Sequence, residues 1–221
     1  MEKLRVDVWS DLVCPWCAIG KRRFQTALAR FDHEVELVWH AFELDPSAPA
    51  SRVEDNASRL AHKYGMSRDD AVERMEQLRE TAAHEGLTFD LVHARSGNTF
   101  DAHRVLKLAR THGVEDVVVE RLFRGYMSER KAIGDPETLV ELASDAGLDA
   151  EEVRATLAGD RFADEVRADE ELARRIGISG VPFFVMGGVL GVSGAQSPEV
   201  FVRALAQAWE RAQPESLRAP A

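Results

Sequence analysis

The sequence is poor in cysteine, and this limits the kinds of site it can form. Its 221 residues include only two cysteines, Cys14 and Cys17. Structural zinc needs four ligands, usually two Cys-x-x-Cys pairs or one such pair with two closely spaced histidines. A second cysteine pair is absent, and His33 and His40 are too far apart in sequence to replace it. We therefore expect no metal site.

Long apolar runs and an excess of basic residues are also missing. No apolar run approaches the roughly 20 residues of a membrane-spanning helix, and the N-terminus lacks the apolar core of a secretory signal. The 38 Asp and Glu outnumber the 28 Lys and Arg, giving a net charge of −10. This balance argues against nucleic-acid and anionic-membrane partners. The sequence predicts a cytoplasmic globular protein with one elaborated domain or two small ones.

Both cysteines lie in the stretch SDLVCPWCAIG, as a Cys-Pro-Trp-Cys motif. A structural disulfide closing so short a loop would remove little unfolded-state entropy, and a reducing cytoplasm would leave it open. Two inert core cysteines on an amphipathic helix are the other alternative. The motif favours a redox-active dithiol, which needs no bound cofactor because the Cys14–Cys17 disulfide itself carries the electrons.

The segments on either side of the motif support this interpretation. LRVDVW alternates like a short strand, and PWCAIGKRRFQTALARF carries apolar residues at helical spacing. Pro15 suits the first helical turn, so Cys14 is expected at the helix N-terminus, where unpaired N–H groups and the helix dipole favour a thiolate. We expect Cys14 to be the exposed nucleophile and Cys17, one turn later, to be the more buried resolving thiol.

The remaining sequence divides into strand and helix patterns. EVELVWHAFELDP reads as a second strand, and residues from about Arg52 to Ile176 are almost wholly helical. PFFVM and VLGVSG flank Gly187-Gly188 as a hairpin, and a final helix begins near Ser197. The order of elements predicts an α/β protein with a thioredoxin-like fold. A large all-helical insertion, residues 47–176, separates its βαβ and ββα halves, residues 1–46 and 177–221.

Five segments carry a resemblance to a known family: SDLVCPWCAIGKRRF, FELDP, NTFDAHRVL, GISGVPFFV and VSGAQSPEVF. Together they resemble the FrnE-like branch of the DsbA family of thiol–disulfide oxidoreductases. The resemblance implies a disulfide oxidase or isomerase that acts on thiol- or disulfide-bearing proteins or small molecules through mixed disulfides. It also implies that Val181-Pro182 is a cis peptide beside Cys14, with the Val181 backbone offered to substrate.

The same resemblance implies a set of substrate-binding residues: Pro15, Trp16, Asn98, His103, Val181, Pro182, Ala195 and Gln196. For two of them the residues support another interpretation equally well. Asn98 or Thr99 fits a helix N-cap, and His103 fits a partly buried helix residue. One departure from many thioredoxin-like proteins is Val8, which stands where a buried acid would accept the proton of the resolving thiol. Asp11 and Glu43 are the candidate substitutes, although we expect Asp11 to be a solvated loop residue or a cap.

Two other functions are compatible with the sequence. Glutathione-dependent isomerases of the 2-hydroxychromene-2-carboxylate type and kappa-class glutathione transferases share the Val-Pro and SGAQ elements, but they usually carry Ser in place of Cys14. They place an acid where this sequence has Gln196, an amide that can still bind a low-molecular-weight thiol such as glutathione. A non-enzymatic chaperone is the third class, and activity without either cysteine would support it. A second copy of the chain is a further candidate partner.

Overall fold

The computed structural model describes residues 3–52 and 54–212. The predicted domains also include residues 1–2, 53 and 213–221, which lie outside the described residues. The elements in chain order are β1 (Leu4–Ser10), α1 (Pro15–Leu28), β2 (Val35–Ala41), α2 (Asn56–Tyr64), α3 (Arg68–His84), α4 (Phe100–Thr111), α5 (Glu115–Met127), α6 (Pro136–Asp145), α7 (Ala150–Ala158), α8 (Ala163–Arg175), β3 (Phe183–Met186), β4 (Leu190–Ser193) and α9 (Pro198–Ala212). The predicted thioredoxin-like fold with a helical insertion is confirmed, while the domain boundaries stay a prediction.

Strand β1 lies inside a four-stranded sheet of order β2-β1-β3-β4. It pairs in parallel with β2 and antiparallel with β3, so that Val8 lies opposite both Trp39 and Phe184. The β3–β4 hairpin turns through Gly187 and Gly188, whose positive φ angles of 59° and 69° suit glycine. This arrangement brings the segment before β3 next to the end of β1, where the Cys-Pro-Trp-Cys motif begins.

One face of the sheet is covered by α1 and α9. Phe24 of α1 and Phe201 of α9 pack against Phe184 of β3, with ring centroids 5.1 Å and 4.7 Å from that of Phe184. All three rings are buried, and burying an aromatic side chain contributes on the order of 2–3 kcal/mol. This aromatic cluster fixes α1, and therefore the cysteine motif at its start, against the sheet.

The opposite face contacts α8 of the insertion. Trp9 packs there with Ala173 and Ile178, and its indole N–H donates to the Asp169 carbonyl. His40 of β2 is 2.6 Å from an Asp169 carboxylate oxygen, and Lys107 of α4 forms an ion pair with the same carboxylate. Burial opposes the charge on Asp169, but His40 and Lys107 outweigh it and hold its pKa below the usual value. This buried ion cluster joins the insertion to the sheet.

Within the insertion, α4 is the central helix, and nearly every side chain from Ala102 to Ala109 is buried. Several of the surrounding helices begin at side-chain caps, including Asp55, Ser67, Asp135 and Asp149. Among the described residues, no helix is long and apolar enough to cross a membrane.

Candidate active site

The cysteine motif lies at the junction of β1 and α1, as the sequence predicts. The chain turns after Ser10, and the Cys14 amide donates to the Asp11 carbonyl at 3.0 Å. Cys14 is the N-cap residue of α1, and Pro15 occupies the first helical turn. Cys17 follows one turn later, with its amide bonded to the Cys14 carbonyl. The helix therefore presents its unpaired N-terminal amides around Cys14.

The two thiols differ from the expected pair in one respect. Both are free and both are buried, with Cys14 only 5% exposed and Cys17 1% exposed. The prediction of an exposed Cys14 was wrong, because the Val181 segment lies against its sulfur. Burial, together with the neighbouring Cys14, raises the pKa of the Cys17 thiol well above its usual value, and the Asp11 backbone only partly opposes this. Cys17 therefore holds its proton at neutral pH.

The segment before β3 lies directly beside Cys14. Val181-Pro182 is a cis peptide, as the family resemblance implied. The Cys14 Sγ atom lies 3.7 Å from the Val181 carbonyl oxygen. Among the described residues, the Val181 N–H has no hydrogen-bond partner. The backbone at Val181 therefore offers one donor and one acceptor beside the thiol.

Gly20 of α1 makes this close approach of Pro182 possible. A Cβ atom on Gly20 would stand 2.9 Å from the Pro182 Cγ and 3.5 Å from the Ala195 Cα. Ordinary carbon contacts are about 3.5–4.0 Å, so any side chain at this position would push the Pro182 ring away from α1. The position needs glycine because of this contact, not because of its backbone angles.

Cys14 opens onto a cavity of about 640 Å³. Pro15, Trp16 and Val181 line it on the side of the thioredoxin-like domain, and helices α2 and α3 line it on the side of the insertion. Trp16 is 46% exposed and stands at the rim, as expected. The residues contributed by the two helices are Arg59, Leu60, Lys63, Tyr64, Arg74, Met75, Gln77, Leu78 and Thr81.

Sequence reasoning missed the contribution of α2 and α3 to this cavity. Leu60 and Tyr64 repeat at a spacing of four, as do Arg59 and Lys63, so each pair shares a helix face. This pattern could have identified a face that is half apolar and half basic. It could not have shown that the face points towards Cys14, since that depends on how the insertion packs.

The sequence predicted Asp11 as a solvated loop residue or a cap. It is not solvated, but its carboxylate accepts from the Val13 amide two residues later at 3.5 Å, as a local cap would. Its side chain is buried, and one carboxylate oxygen accepts from the Leu44 amide at 2.8 Å. The FELDP segment that follows β2 covers it. The other carboxylate oxygen is 3.8 Å from the Nε2 atom of His103, which is too far for a hydrogen bond. His103 Nε2 is buried and has no hydrogen-bond partner among the described residues.

Asn98 and His103 lie behind the cavity rather than among the residues that line it. The Asn98 side chain accepts from the Phe100 amide at 2.9 Å, which fits the interpretation of Asn98 as a helix cap. It also donates to Glu43 at 3.0 Å. Burial and the neighbouring Glu170 raise the pKa of Glu43, and Arg167 opposes them. Substrate contact by Asn98 or His103 stays a prediction.

The predicted residues Ala195 and Gln196 are not among the residues that line the cavity. The Ala195 carbonyl accepts from Arg23 at 2.7 Å, and Arg23 also pairs with Glu85 at 2.6 Å. The Gln196 side chain donates to the Ser193 carbonyl at 2.8 Å. A direct substrate contact by either residue also stays a prediction.

Tyr126 of α5 is a second feature that sequence reasoning missed. It is fully buried, and burial raises the pKa of its hydroxyl to about 12 against the opposing charge of Arg59. Asp11 and Cys14 are close enough to add to this rise. Tyr126 therefore places a neutral hydroxyl from the insertion near the cysteine motif. Its helix reads as ordinary amphipathic sequence, so no local signal marks it.

Comparison with known proteins adds independent information. Residues 5–206 match the family model described as the DSBA-like thioredoxin domain. A probable DsbA oxidoreductase from Streptomyces coelicolor is 46% identical, with a TM-score of 0.90 over 99% of this chain and 92% of that chain. The uncharacterised protein YwbO of Bacillus subtilis is 26% identical over 91% of this chain and 96% of its own length.

Two less similar crystal structures share the fold. The cytosolic disulfide reductase DsbM from Pseudomonas aeruginosa, described with GSH, is 20% identical, with a TM-score of 0.62 over 93% of this chain and 98% of that chain. A 2-hydroxychromene-2-carboxylate isomerase is 14% identical, with a TM-score of 0.63 over 94% and 97% of the two chains. The predicted family resemblance is confirmed, and the FrnE-like branch stays a prediction.

Proposed function

We propose that this chain, which belongs to the DSBA-like thioredoxin domain family, is an enzyme that exchanges disulfides through Cys14 and Cys17. The observation that carries the proposal is the position of Cys14. Its sulfur faces the Val181 carbonyl at 3.7 Å, at the end of a cavity of about 640 Å³. Cys17 is buried one helical turn behind it. This geometry suits a nucleophilic thiol with a resolving partner.

In the oxidising direction, the reaction begins with the Cys14–Cys17 disulfide. A substrate thiolate attacks the Cys14 sulfur, a mixed disulfide forms, and the electron pair of the broken S–S bond leaves on Cys17. A second substrate thiolate then attacks the substrate sulfur of the mixed disulfide and releases Cys14. The substrate is oxidised by two electrons and the dithiol is reduced. Reduction runs through the same mixed disulfide in reverse. Isomerisation occurs when reduced Cys14 attacks a substrate disulfide and a different substrate thiolate then displaces Cys14 from the mixed disulfide.

Cys17 must give up a proton whenever it attacks the mixed disulfide, because burial raises the pKa of its thiol. Val8 cannot accept this proton. Asp11 is the nearer of the two predicted substitutes, since its backbone contacts the Cys17 thiol and its side chain is buried beside the motif. We assign Asp11 as the proton acceptor, with His103 next to it. Glu43 is the less direct candidate, since its carboxylate is held by Asn98 and Arg167.

Substrate backbone would bind along the Val181 segment. The Val181 N–H and carbonyl can pair with an extended chain whose cysteine reaches Cys14, while Pro15 and Trp16 shape the rim. Pro182 carries no N–H, so the Val181 N–H is the backbone donor that pairs with the substrate. Asn98, His103, Ala195 and Gln196 are proposed as further substrate-binding residues, although none of them lines the cavity in this structure.

Trapping of the mixed disulfide tests the proposal. Incubation of the Cys17→Ser variant with a peptide disulfide should give a stable covalent adduct at Cys14 that mass spectrometry detects and thiol reductant removes. The Cys14→Ser variant is the matched control and should give no adduct. Wild-type protein should show a reversible two-electron couple in thiol/disulfide buffers. An adduct on Cys17 in the Cys14→Ser variant, or no couple at all, would contradict the assignment.

A glutathione-dependent isomerase or a kappa-type transferase is the alternative. One observation favours testing it: the Ala195–Gln196 turn packs against the same α1 position as Pro182, and the similar DsbM structure is described with GSH. Tight glutathione binding by the Cys14→Ser, Cys17→Ser variant, without a reversible couple in the wild type, would support this alternative. Glutathione as a co-substrate, a cytoplasmic location and a homodimer belong to the proposal as predictions.

A further inference from the structure

We propose that the cavity beside Cys14 selects polypeptide segments in which the reacting cysteine is flanked by acidic side chains. This inference rests on the proposed disulfide exchange, because it concerns the substrate of the same site. It concerns which substrates are preferred, which the chemistry of the cysteine pair alone does not determine. Three observations carry it: the charge of the cavity lining, the way α3 separates its charges, and the apolar rim.

The cavity lining is basic although the chain as a whole is acidic. Its charged residues are four cations, Arg52, Arg59, Lys63 and Arg74, and a single acid, Asp45, while the whole chain has a net charge of −10. Arg52 forms an ion pair with Asp45, so these two charges offset each other. The lining therefore has a net positive charge, since Asp45 is its single acid against four cations.

The other three cations, Arg59, Lys63 and Arg74, form no ion pair within the described part of the chain. Arg59 donates to the neutral side-chain oxygen of Asn56 at 2.8 Å. Lys63 lies 5.7 Å from the centre of the Tyr64 ring. The pKa of Asp45 is lowered by its hydrogen bond with Ser47 and by the charges of Arg52 and Lys63, so Asp45 offsets only part of the Lys63 charge. A charged side chain that has no ion-pair partner and faces a concave site attracts ions of opposite sign.

Helix α3 separates its charges by face. It carries five acidic side chains, Asp69, Asp70, Glu73, Glu76 and Glu80, and none of them lines the cavity. The cavity face, from Arg74 through Leu78 to Thr81, repeats at helical spacing with Arg74 as its only charge. An acidic helix thus turns its positive and neutral side towards the thiol.

The rim indicates a polypeptide rather than a small molecule. Six large apolar residues are exposed among the described residues, and three of them, Leu44, Trp16 and Tyr64, line this cavity at 39%, 46% and 60% exposure. These exposed apolar side chains give an extended chain a surface to pack against. The free N–H of Val181 adds a pairing site for extended backbone. A chain crossing this rim would place its flanking side chains against Arg59, Lys63 and Arg74.

A pair of peptides tests the inference. Each carries one cysteine, flanked by two aspartates in the first peptide and by two lysines in the second. Trp fluorescence reports the rate at which each peptide reduces the Cys14–Cys17 disulfide. This rate is divided by the rate at which the same peptide reduces hydroxyethyl disulfide, which corrects for the different reactivities of the two peptide thiols. We expect the normalised rate of the acidic peptide to be at least about tenfold higher at low salt, with the ratio shrinking as salt rises.

Matched variants locate the effect. The double variant Lys63→Gln, Arg74→Gln should lower the ratio several-fold, with Arg59 left as the remaining unpaired cation. Arg79→Gln should leave the ratio unchanged, because Arg79 lies on α3 outside the cavity and pairs with Glu76. A ratio near one in the wild type overturns the inference, and so does a ratio that the double variant leaves unchanged.

The design also separates this inference from the proposed function. Failure of both peptides to reduce the disulfide would contradict disulfide exchange itself, whereas equal normalised rates would contradict only the acidic selectivity. A normalised rate for glutathione, a small anionic thiol, that equals or exceeds that of the acidic peptide overturns the assignment to a polypeptide.

Discussion

Gly20 offers a direct test of whether the contact between α1 and Pro182 sets up the site. The change Gly20→Ala adds one methyl group to α1 at a distance of 2.9 Å from the Pro182 Cγ. Because the proline ring cannot rotate away, α1 and the Val181 segment must separate by roughly 0.6–1 Å to restore an ordinary contact. The Val181 carbonyl, now 3.7 Å from the Cys14 sulfur, would move with Pro182.

The effects on stability and on activity should differ. Overpacking costs about 1–3 kcal/mol, while alanine gains about 1 kcal/mol over glycine inside a helix. The free energy of unfolding should therefore fall by only about 0–2 kcal/mol. A displacement of about 1 Å at a reacting site can cost on the order of 10²-fold in rate. We expect kcat/KM for disulfide exchange to fall by about 10- to 100-fold in a protein that remains folded.

Chemical denaturation and disulfide turnover, measured on the same samples, check this expectation. Gly125→Ala is the matched control, since it adds a methyl group inside helix α5 at 2.7 Å from a Leu142 methyl carbon. It should change stability by a similar amount and leave turnover unchanged. Turnover in Gly20→Ala that equals the wild-type value would refute the role given to the Pro182 contact. So would an equal loss of turnover in both variants.

Two further predictions concern buried carboxyl groups. The Asp11→Asn variant keeps an oxygen for the Leu44 amide but removes the base. The rate at which Cys17 resolves a trapped mixed disulfide should therefore fall by on the order of 10²-fold at neutral pH and recover at high pH. An unchanged pH profile would show that Asp11 is not the proton acceptor. Burial raises the pKa of Glu115 from 4.5 to about 7, against the opposing charges of Lys107 and Arg110. The folded state favours the protonated form of Glu115. Ionisation of Glu115 therefore lowers the free energy of unfolding as pH rises from 4.5 through 7, by about 3 kcal/mol above that range. Glu115→Gln should therefore increase the free energy of unfolding by about 3 kcal/mol at pH 8 and by little at pH 4, and an equal change at both pH values would contradict this account.

Local sequence signals were sufficient for the elements and for the position of Cys14 at the start of α1. Hydrophobic periodicity, Pro15 after Cys14 and the paired glycines of the hairpin each act within a few residues, and the structure has the corresponding helix start and turn. The family resemblance added Val181-Pro182 as a cis peptide. These features depend on short-range backbone preferences, which a single chain segment already contains.

Burial at the site could not be predicted in this way. Asp11 looks like a polar loop residue, and only the packing of the FELDP segment over the end of β1 removes it from water. Cys14, which sequence reasoning expected to be exposed, is likewise buried, with the Val181 carbonyl from the far end of the chain 3.7 Å from its sulfur. Whether a polar residue is solvated depends on segments that are distant in sequence, so its own neighbours do not decide it.

The sequence by itself determined that a cysteine pair stands at the start of a helix in a thioredoxin-like fold, because this follows from local patterns and motif spacing. Only the tertiary structure decided which residues surround that pair. The basic face of α2 and α3, the buried Asp11 and His103, and Tyr126 come together through contacts between segments far apart in the chain. Such contacts depend on how the insertion packs on the sheet, and this packing cannot be predicted from a local sequence pattern.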